Sequence, residues 1–228
     1  MTTRPLKNAP FNIAEFLAEN SQMQGFSPRI AYEALTRSIT YGDLWAKTAK
    51  AAAFFSNEGV APGDRVLFVA TDQIDLVVGY LGVIWAGGVA VALNPRLTAA
   101  DMTNIIAEAA PKMILVEDRL PTALPPGLGV SLMPLAVAAE NWANFDPIPP
   151  YPSTANSPAF FVYTSGTTGG VKAVVHAHGD MRNADAYLRD QLAVSEDKPE
   201  KILASSRLFF AYALGILVFG GLRLGQTM

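Results

Sequence analysis

The residues best suited to chemistry stand in one short run, Thr164, Ser165, Gly166, Thr167, Thr168, Gly169 and Gly170, followed after Val171 by Lys172. Residues this small let successive backbone N–H groups curl around an anion with no Cβ in the way. The hydroxyls of Thr164, Ser165, Thr167 and Thr168 add donors, and the Lys172 ammonium supplies a point charge. Such a set suits a polyphosphate. A plain hairpin loop has the same composition. The order of hydroxyl, glycine and lysine directly after the apolar stretch 159–164 narrows the use. A Walker A loop needs wider glycine spacing and a Gly-Lys-Ser/Thr ending, so a P-loop kinase or GTPase is disfavoured.

Other reactive groupings carry less. His176 and His178 are the two histidines of the chain and stand at alternate positions of an expected strand, with Asp180 nearby. A metal site would need a third converging ligand, so hydrogen-bonded or solvated histidines are the favoured reading and no metal site is assigned. The chain has no cysteine, hence no disulfide, no thiolate nucleophile and no Cys-based zinc site, which fits a reducing compartment. No Gly-x-Ser-x-Gly elbow is present, which disfavours a serine hydrolase. Phe209, Phe210 and Tyr212 read on the sequence alone as ordinary core.

Tyr163-Thr164-Ser165-Gly166-Thr167-Thr168-Gly169 with Lys172 resembles the signature loop of the adenylate-forming, AMP-binding enzymes: acyl-CoA synthetases, peptide-synthetase adenylation domains and luciferases. The resemblance runs from about Phe11 to the end, and Leu208-Phe209-Phe210-Ala211-Tyr212-Ala213-Leu214-Gly215 is similar to the benzoate-CoA ligases. Two positions depart from the pattern: the family usually has Pro-Lys-Gly where this chain has Val171, Lys172 and Ala173. Losing the proline removes a φ restraint, and losing the glycine removes access to positive φ.

The resemblance implies a two-step acid–thiol ligase using ATP, Mg2+ and CoA, with an aromatic, benzoate-like carboxylic acid as substrate; a medium-chain or alicyclic acid is the runner-up. It implies Thr164, Ser165, Gly166, Thr167, Thr168, Gly169 and Lys172 as phosphate ligands, with Lys172 and Thr168 as catalytic residues. Phe210, Ala211, Tyr212 and Gly215 would form part of the acyl pocket. The family's adenine, ribose, hinge and C-terminal lysine elements would all fall beyond Met228. The chain therefore reads as a partial N-terminal adenylation domain without its C-terminal domain, inactive alone and partnered by a separate half or a second copy. The alternative is a non-catalytic nucleotide-binding or degenerate fragment.

The elements expected to position these residues alternate along the chain. Residues 11–20 read as a short amphipathic helix, residues 29–35 with those around Ile39 as a hairpin, and Thr40 with Asp43 as the capped start of a helix ending near Gly59. The run 65–70 is a continuously apolar strand, 74–86 a crossover helix and 89–93 the next strand. Thr98 with Asp101 caps a helix over 102–110, and 112–116 is a further strand. This predicts an α/β fold with a doubly wound, mainly parallel sheet, with its core over 40–120. Residues 121–158 form a proline-rich connection with one strand near 129–132. The signature segment 159–228 then supplies a hairpin of 159–164 with 174–178, a helix over 180–193 with Met181, Ala184, Tyr187, Leu188 and Leu192 inward, a strand over 202–205 and a helix over 209–224. A chain stopping there is expected to leave one face of that helix and a sheet edge uncovered.

Composition bounds the rest. Half the residues are apolar and 16% charged, which argues for a globular body. A net charge of −3, from 17 Lys+Arg against 20 Asp+Glu, offers no basic field for nucleic acid. The N-terminus lacks a secretory apolar run, so the cytoplasm is expected. The most apolar stretch, 208–222, is short of the roughly 20 residues that span a bilayer and reads as a buried helix.

Overall fold

The computed structural model describes residues 9–120, 124, 127, 129–165 and 171–228. Its centre is built from β3 (Arg65–Val69), β4 (Val89–Leu93) and β5 (Met113–Val116), whose sequences RVLFV, VAVAL and MILV hardly alternate in polarity. Strands like these must be covered on both faces. Among the described residues the sheet has the order β6-β5-β3-β4-β7-β8, adding β6 (Ser131–Pro134), β7 (Pro158–Ser165) and β8 (Val171–Ala177). All neighbours are parallel except β7 and β8, which form an antiparallel hairpin. The expected doubly wound, mainly parallel sheet is thus observed.

On one face Phe68, Ala90 and Phe160 pack against α2 (Tyr41–Asn57), α3 (Ile74–Trp85) and the C-terminal helical segment. On the other, Leu67, Val91 and Ile114 pack against Met102, Ile105 and Ile106 of α4 (Ala99–Ala109). The chain passes from β3 to β4 on one side and returns to β5 on the other. This reversal opens a crevice at the carboxyl ends of β3 and β4, where such sheets receive ligands.

Local chemistry explains the helix starts. Asp43 N–H donates to Thr40 Oγ1 at 3.1 Å, and Asp101 N–H donates to Thr98 Oγ1 at 3.1 Å, as the cap spacing predicts. α3 lies close to α2 because Gly82 has no side chain: a Cβ there would stand 2.8 Å from Ala51 Cβ and 3.3 Å from Ala52 N. At the N-terminus α1 (Ile13–Met23) begins two residues later than the pattern suggests and runs further. Asn12 causes this. Its Oδ1 accepts from Ala14 N–H at 3.0 Å while its Nδ2 donates to Ile84 O at 2.9 Å, tying the helix start to the end of α3. β1 (Ile30–Glu33) and β2 (Ser38–Thr40) form the expected antiparallel hairpin.

Four expectations are corrected. Within 121–158 the strand is found as β6, and α5 (Leu135–Trp142), which the prolines obscured, follows it. It is anchored by Trp142, buried against Phe55 at 6.3 Å between ring centroids. The helix expected over 180–193 is a 3₁₀ turn, His178–Asn183, followed by the short α6 (Ala186–Leu192). Here His178 N–H and Gly179 N–H are committed to Ser157 O and Ala155 O, and the Asp180 carboxylate accepts from Ala177 N–H. Of the five side chains expected inward on that helix, only Leu188 is fully buried.

Residues 202–205 form no strand, Ile202 N–H donating once to Thr227 O. The last helix starts at Ala211, and its middle, Leu214–Gly220, is π-helical between α7 (Ala211–Ala213) and α8 (Gly221–Arg223). It is also largely covered. Leu214, Val218, Phe219 and Leu222 are buried, and Met228 lies beside β1, donating to Ala31 O and accepting from Glu33 N–H. Apolar side chains exposed near this segment are Phe210, Tyr212 and Tyr187, and Val174 and Val175 of the edge strand β8 also face solvent. Among the described residues no helix is long and apolar enough to cross a membrane.

His178 gives the fold a pH signature. Its Nδ1 accepts from Ile13 N–H at 3.0 Å, and burial lowers its pKa from 6.5 to about 4. Between those values the unfolded chain binds more protons, so the stability present above pH 6.5 is lost as pH falls through about 4. Urea melts should show a loss of up to about 3 kcal/mol over that window, absent in His178→Gln, which keeps an acceptor without titrating. Gly82→Ala should cost about 1–3 kcal/mol in the same assay, because Ala52 backbone cannot yield.

Candidate nucleotide and acid site

The β7–β8 register places Thr164 opposite Lys172, with Ser165 opposite Val171 and Tyr163 opposite Ala173. Directly opposed residues in an antiparallel pair project to the same face. Thr164 and Lys172 therefore stand side by side at the carboxyl end of β7, one strand away from the crevice between β3 and β4. Both are exposed, and no carboxylate among the described residues lies within ion-pair distance of Lys172. Its charge is available to an anion. Gly166, Thr167, Thr168 and Gly169, the other expected phosphate ligands, lie outside the described residues, as does the side chain of Ser165.

Tyr163 turns to the opposite face, among Val171 and Phe161 against the α4 side. Burial foremost, with Glu108 nearby, pushes its phenol up to about 12 against the pull of Arg65. It stays protonated and offers no base.

The segment expected to line an acyl pocket opens outward. Phe210 is 49% and Tyr212 57% exposed, and Ala211 is exposed as well. An added Cβ at Gly215 would meet nothing within 4 Å, so space lies beside it. The ordinary-core reading of Phe210 and Tyr212 is thereby corrected, while Phe209 remains partly buried against Phe210 with centroids 4.8 Å apart. Tyr187 from α6 meets Tyr212 edge-to-face at 6.5 Å. The phenol of Tyr212 is raised, foremost by the neighbouring Tyr187. Sequence reasoning placed Tyr187 in the core; the broken helix rotates it to the surface, and no local pattern signals that. Phe160 of β7 stacks on Phe219 of the terminal segment at 5.1 Å, so this segment packs on the sheet face that also carries Thr164 and Lys172.

The two histidines do not converge. His176 stacks on Phe160 at 4.7 Å and lies 3.8 Å from Asp180, whereas the Nδ1 of His178 is occupied by Ile13 N–H. The described residues hold no group of three or more His, Cys, Asp or Glu side chains able to bind a metal.

The pattern described as AMP-binding enzyme matches residues 20–228. The chain is 34% identical over 230 residues to the 3-hydroxybenzoate–CoA ligase of Aromatoleum sp. (strain CIB), covering 95% of this chain and 44% of that protein. It is 30% identical over 233 residues to the benzoate–CoA ligase of Thauera aromatica, covering 95% and 43%. The chain thus spans under half the length of these relatives. The fold is shared with a benzoate CoA ligase from Burkholderia xenovorans LB400 (TM-score 0.79, 24% identity, 96% of this chain and 45% of that one). It is shared also with the NpsA N-terminal subdomain of Klebsiella oxytoca in complex with 3-hydroxybenzoyl-AMSN (TM-score 0.80, 22% identity, 99% and 55%). Matched by that pattern over residues 20–228, this chain belongs to the AMP-binding enzyme family.

Proposed function

We propose that this chain supplies the ATP-phosphate loop and part of the acid pocket of an ATP-dependent aromatic acid–CoA ligase. The observation that carries the reading is the pairing of Thr164 with Lys172 at the carboxyl end of the sheet, in a chain whose similar relatives are named benzoate– and 3-hydroxybenzoate–CoA ligases. Residues 40–120 serve as the α/β core, 121–158 as the connection and 159–228 as the loop-bearing segment of a partial adenylation domain.

A carboxylate is a poor electrophile toward a thiol. Its oxygen attacks the α-phosphorus of ATP, breaking the bond to pyrophosphate and forming an acyl-adenylate; the CoA sulfur then attacks the acyl carbon, AMP leaves and the thiol proton passes to solvent or a base. Lys172 and Thr164, with Ser165, Gly166, Thr167, Thr168 and Gly169, hold the β- and γ-phosphates as negative charge moves onto pyrophosphate. Magnesium finds no ligand cluster in the described residues, so no step is assigned to it. Phe210, Tyr212 and Tyr187 offer aromatic faces and edges to a flat ring, with Ala211 and Gly215 leaving the space it needs.

Lys172→Ala should weaken ATP binding by about 2 kcal/mol or more, the scale of a charge-assisted contact. Calorimetry giving equal affinities for variant and parent would sink the loop assignment. Screened for CoA-dependent AMP formation in a protein carrying this chain at full family length, benzoate and hydroxybenzoates should lead, with alicyclic acids close behind because an apolar pocket rejects similar shapes weakly. A preference for long-chain fatty acids would count against the pocket.

A further inference from the structure

The loop that leaves β3 reaches across 136 positions of sequence to hold the aromatic segment. Leu208 N–H donates to Asp72 Oδ1 at 2.9 Å, and the Arg207 guanidinium stands 3.5 Å from Asp72 Oδ2. Asp72 is well placed to anchor because its own loop is fixed: Thr71 donates through both N–H and Oγ1 to Glu117, at 2.9 and 2.7 Å, at the end of β5. Beyond Leu208 the bonding continues inward. Phe210 N–H donates to Arg207 O, and Leu214 N–H donates to Phe210 O, entering the π-helical stretch.

Apolar packing of Leu208 and Phe209 in the main core also holds this stretch, but it does not bond the backbone. Before it, residues 203–206 are irregular and Leu203 is 96% exposed, the preceding backbone tether being Ile202 N–H to Thr227 O. The polar tie that relates the backbone just before Phe210 and Tyr212 to the carboxyl end of β3 is therefore the one to Asp72. We propose that Asp72 is a positioning residue: its carboxylate fixes residues 207–212 and thereby sets the shape of the aromatic acid pocket. This rests on the acid-pocket reading above. Asp72 itself touches neither the ring nor ATP; it acts through Leu208 and Arg207.

The hydrogen bond, more than the charge, does the holding. The Arg207 pair is exposed, and exposed pairs contribute little, whereas a part-buried N–H left without its acceptor is costly. Asp72→Asn keeps an oxygen for Leu208 N–H and should behave nearly as the parent; Asp72→Ala should not. Hydrogen exchange on the 228-residue chain should show residues 208–214 losing about tenfold protection in Asp72→Ala, with β3, β4 and β5 unchanged and Asp72→Asn restored. Asp118→Asn, which removes an exposed carboxylate just past β5, serves as the charge control.

On the same proteins, benzoate titrated by ligand-observed NMR should bind about tenfold more weakly to Asp72→Ala, with ATP affinity unchanged. Unaltered exchange at 208–214, or a loss spread evenly over the central strands, would overturn the anchor. Altered exchange with unchanged benzoate affinity would overturn its part in the pocket. A parent chain that binds no aromatic acid would instead remove the pocket reading, while the exchange data still decide whether Asp72 holds the segment.

Discussion

One constraint governs where this sheet can carry chemistry: beyond Arg65 at its entry, β3 is buried on both faces, as are β4 and nearly all of β5, so their interiors hold no functional side chain. Val66, Leu67, Phe68 and Val69 are all fully buried, as are Val89, Ala90, Val91 and Leu93 at 1% or less. A charged group in the interior of these strands would have to give up its hydration without a partner; Arg65 avoids this at the first position of β3, where its guanidinium donates to Gly63 O, Ala109 O and Ala110 O. Chemistry is therefore confined to strand ends, and the change in winding, with β4 added on one side of β3 and β5 on the other, opens the crevice at the carboxyl ends. The Thr164–Lys172 pair, the Thr71–Glu117 contact and the Asp72–Leu208 contact all lie at or just past the carboxyl end of a strand of this sheet.

The terminal helical segment shows the same economy from the other side. Its π-helical stretch widens the turn, so the run 214–220 can bury Leu214, Val218 and Phe219 on the sheet while the chain just before it opens to solvent. A uniform α-helix from 209 to 224 would carry its apolar positions around at a constant angle and would not separate a buried half from an exposed aromatic start so sharply. Burying a phenylalanine is worth about 1.5–3 kcal/mol, so leaving Phe210 and Tyr212 half exposed forgoes a comparable amount. Such surface is what a ligand or a further layer of protein would cover.

The core was the legible part of the sequence. Unbroken apolar runs at 65–70, 89–93 and 112–116 admit few alternatives to parallel strands, and Thr40/Asp43 and Thr98/Asp101 mark helix starts by chemistry that acts within one turn. What stayed hidden depends on contacts distant in sequence. α5 is held by Trp142 against Phe55, α6 is shortened by backbone bonds from His178 and Gly179 to the 154–157 turn, and the exposure of Tyr187 follows from that shortening. For the candidate site, the motif residues were found by type and spacing, and the hairpin that carries them by its two β-rich arms. Tyr187 and Asp72 were not found, since neither belongs to a local pattern.

The two departures from the family's usual Pro-Lys-Gly take on a structural meaning in this hairpin. Val171 and Ala173 are both paired in the ladder, with Ser165 and Tyr163 respectively, and Val171 also packs beside Tyr163 on the α4 face. A proline at 171 would have no N–H to give the ladder, whereas a β-branched valine favours the extended backbone from the first residue after the loop. At 173 alanine narrows the backbone choice that glycine would leave open. The orientation of Lys172 is then set by strand pairing on both sides rather than by a proline ring before it and a flexible glycine after it. Because strand register fixes which face a side chain takes, a one-residue slip would turn Lys172 to the α4 face and away from Thr164. The packing of Val171 among Tyr163 and Phe161 opposes that slip, so an apolar contact on one face of the edge strand holds the cation in place on the other.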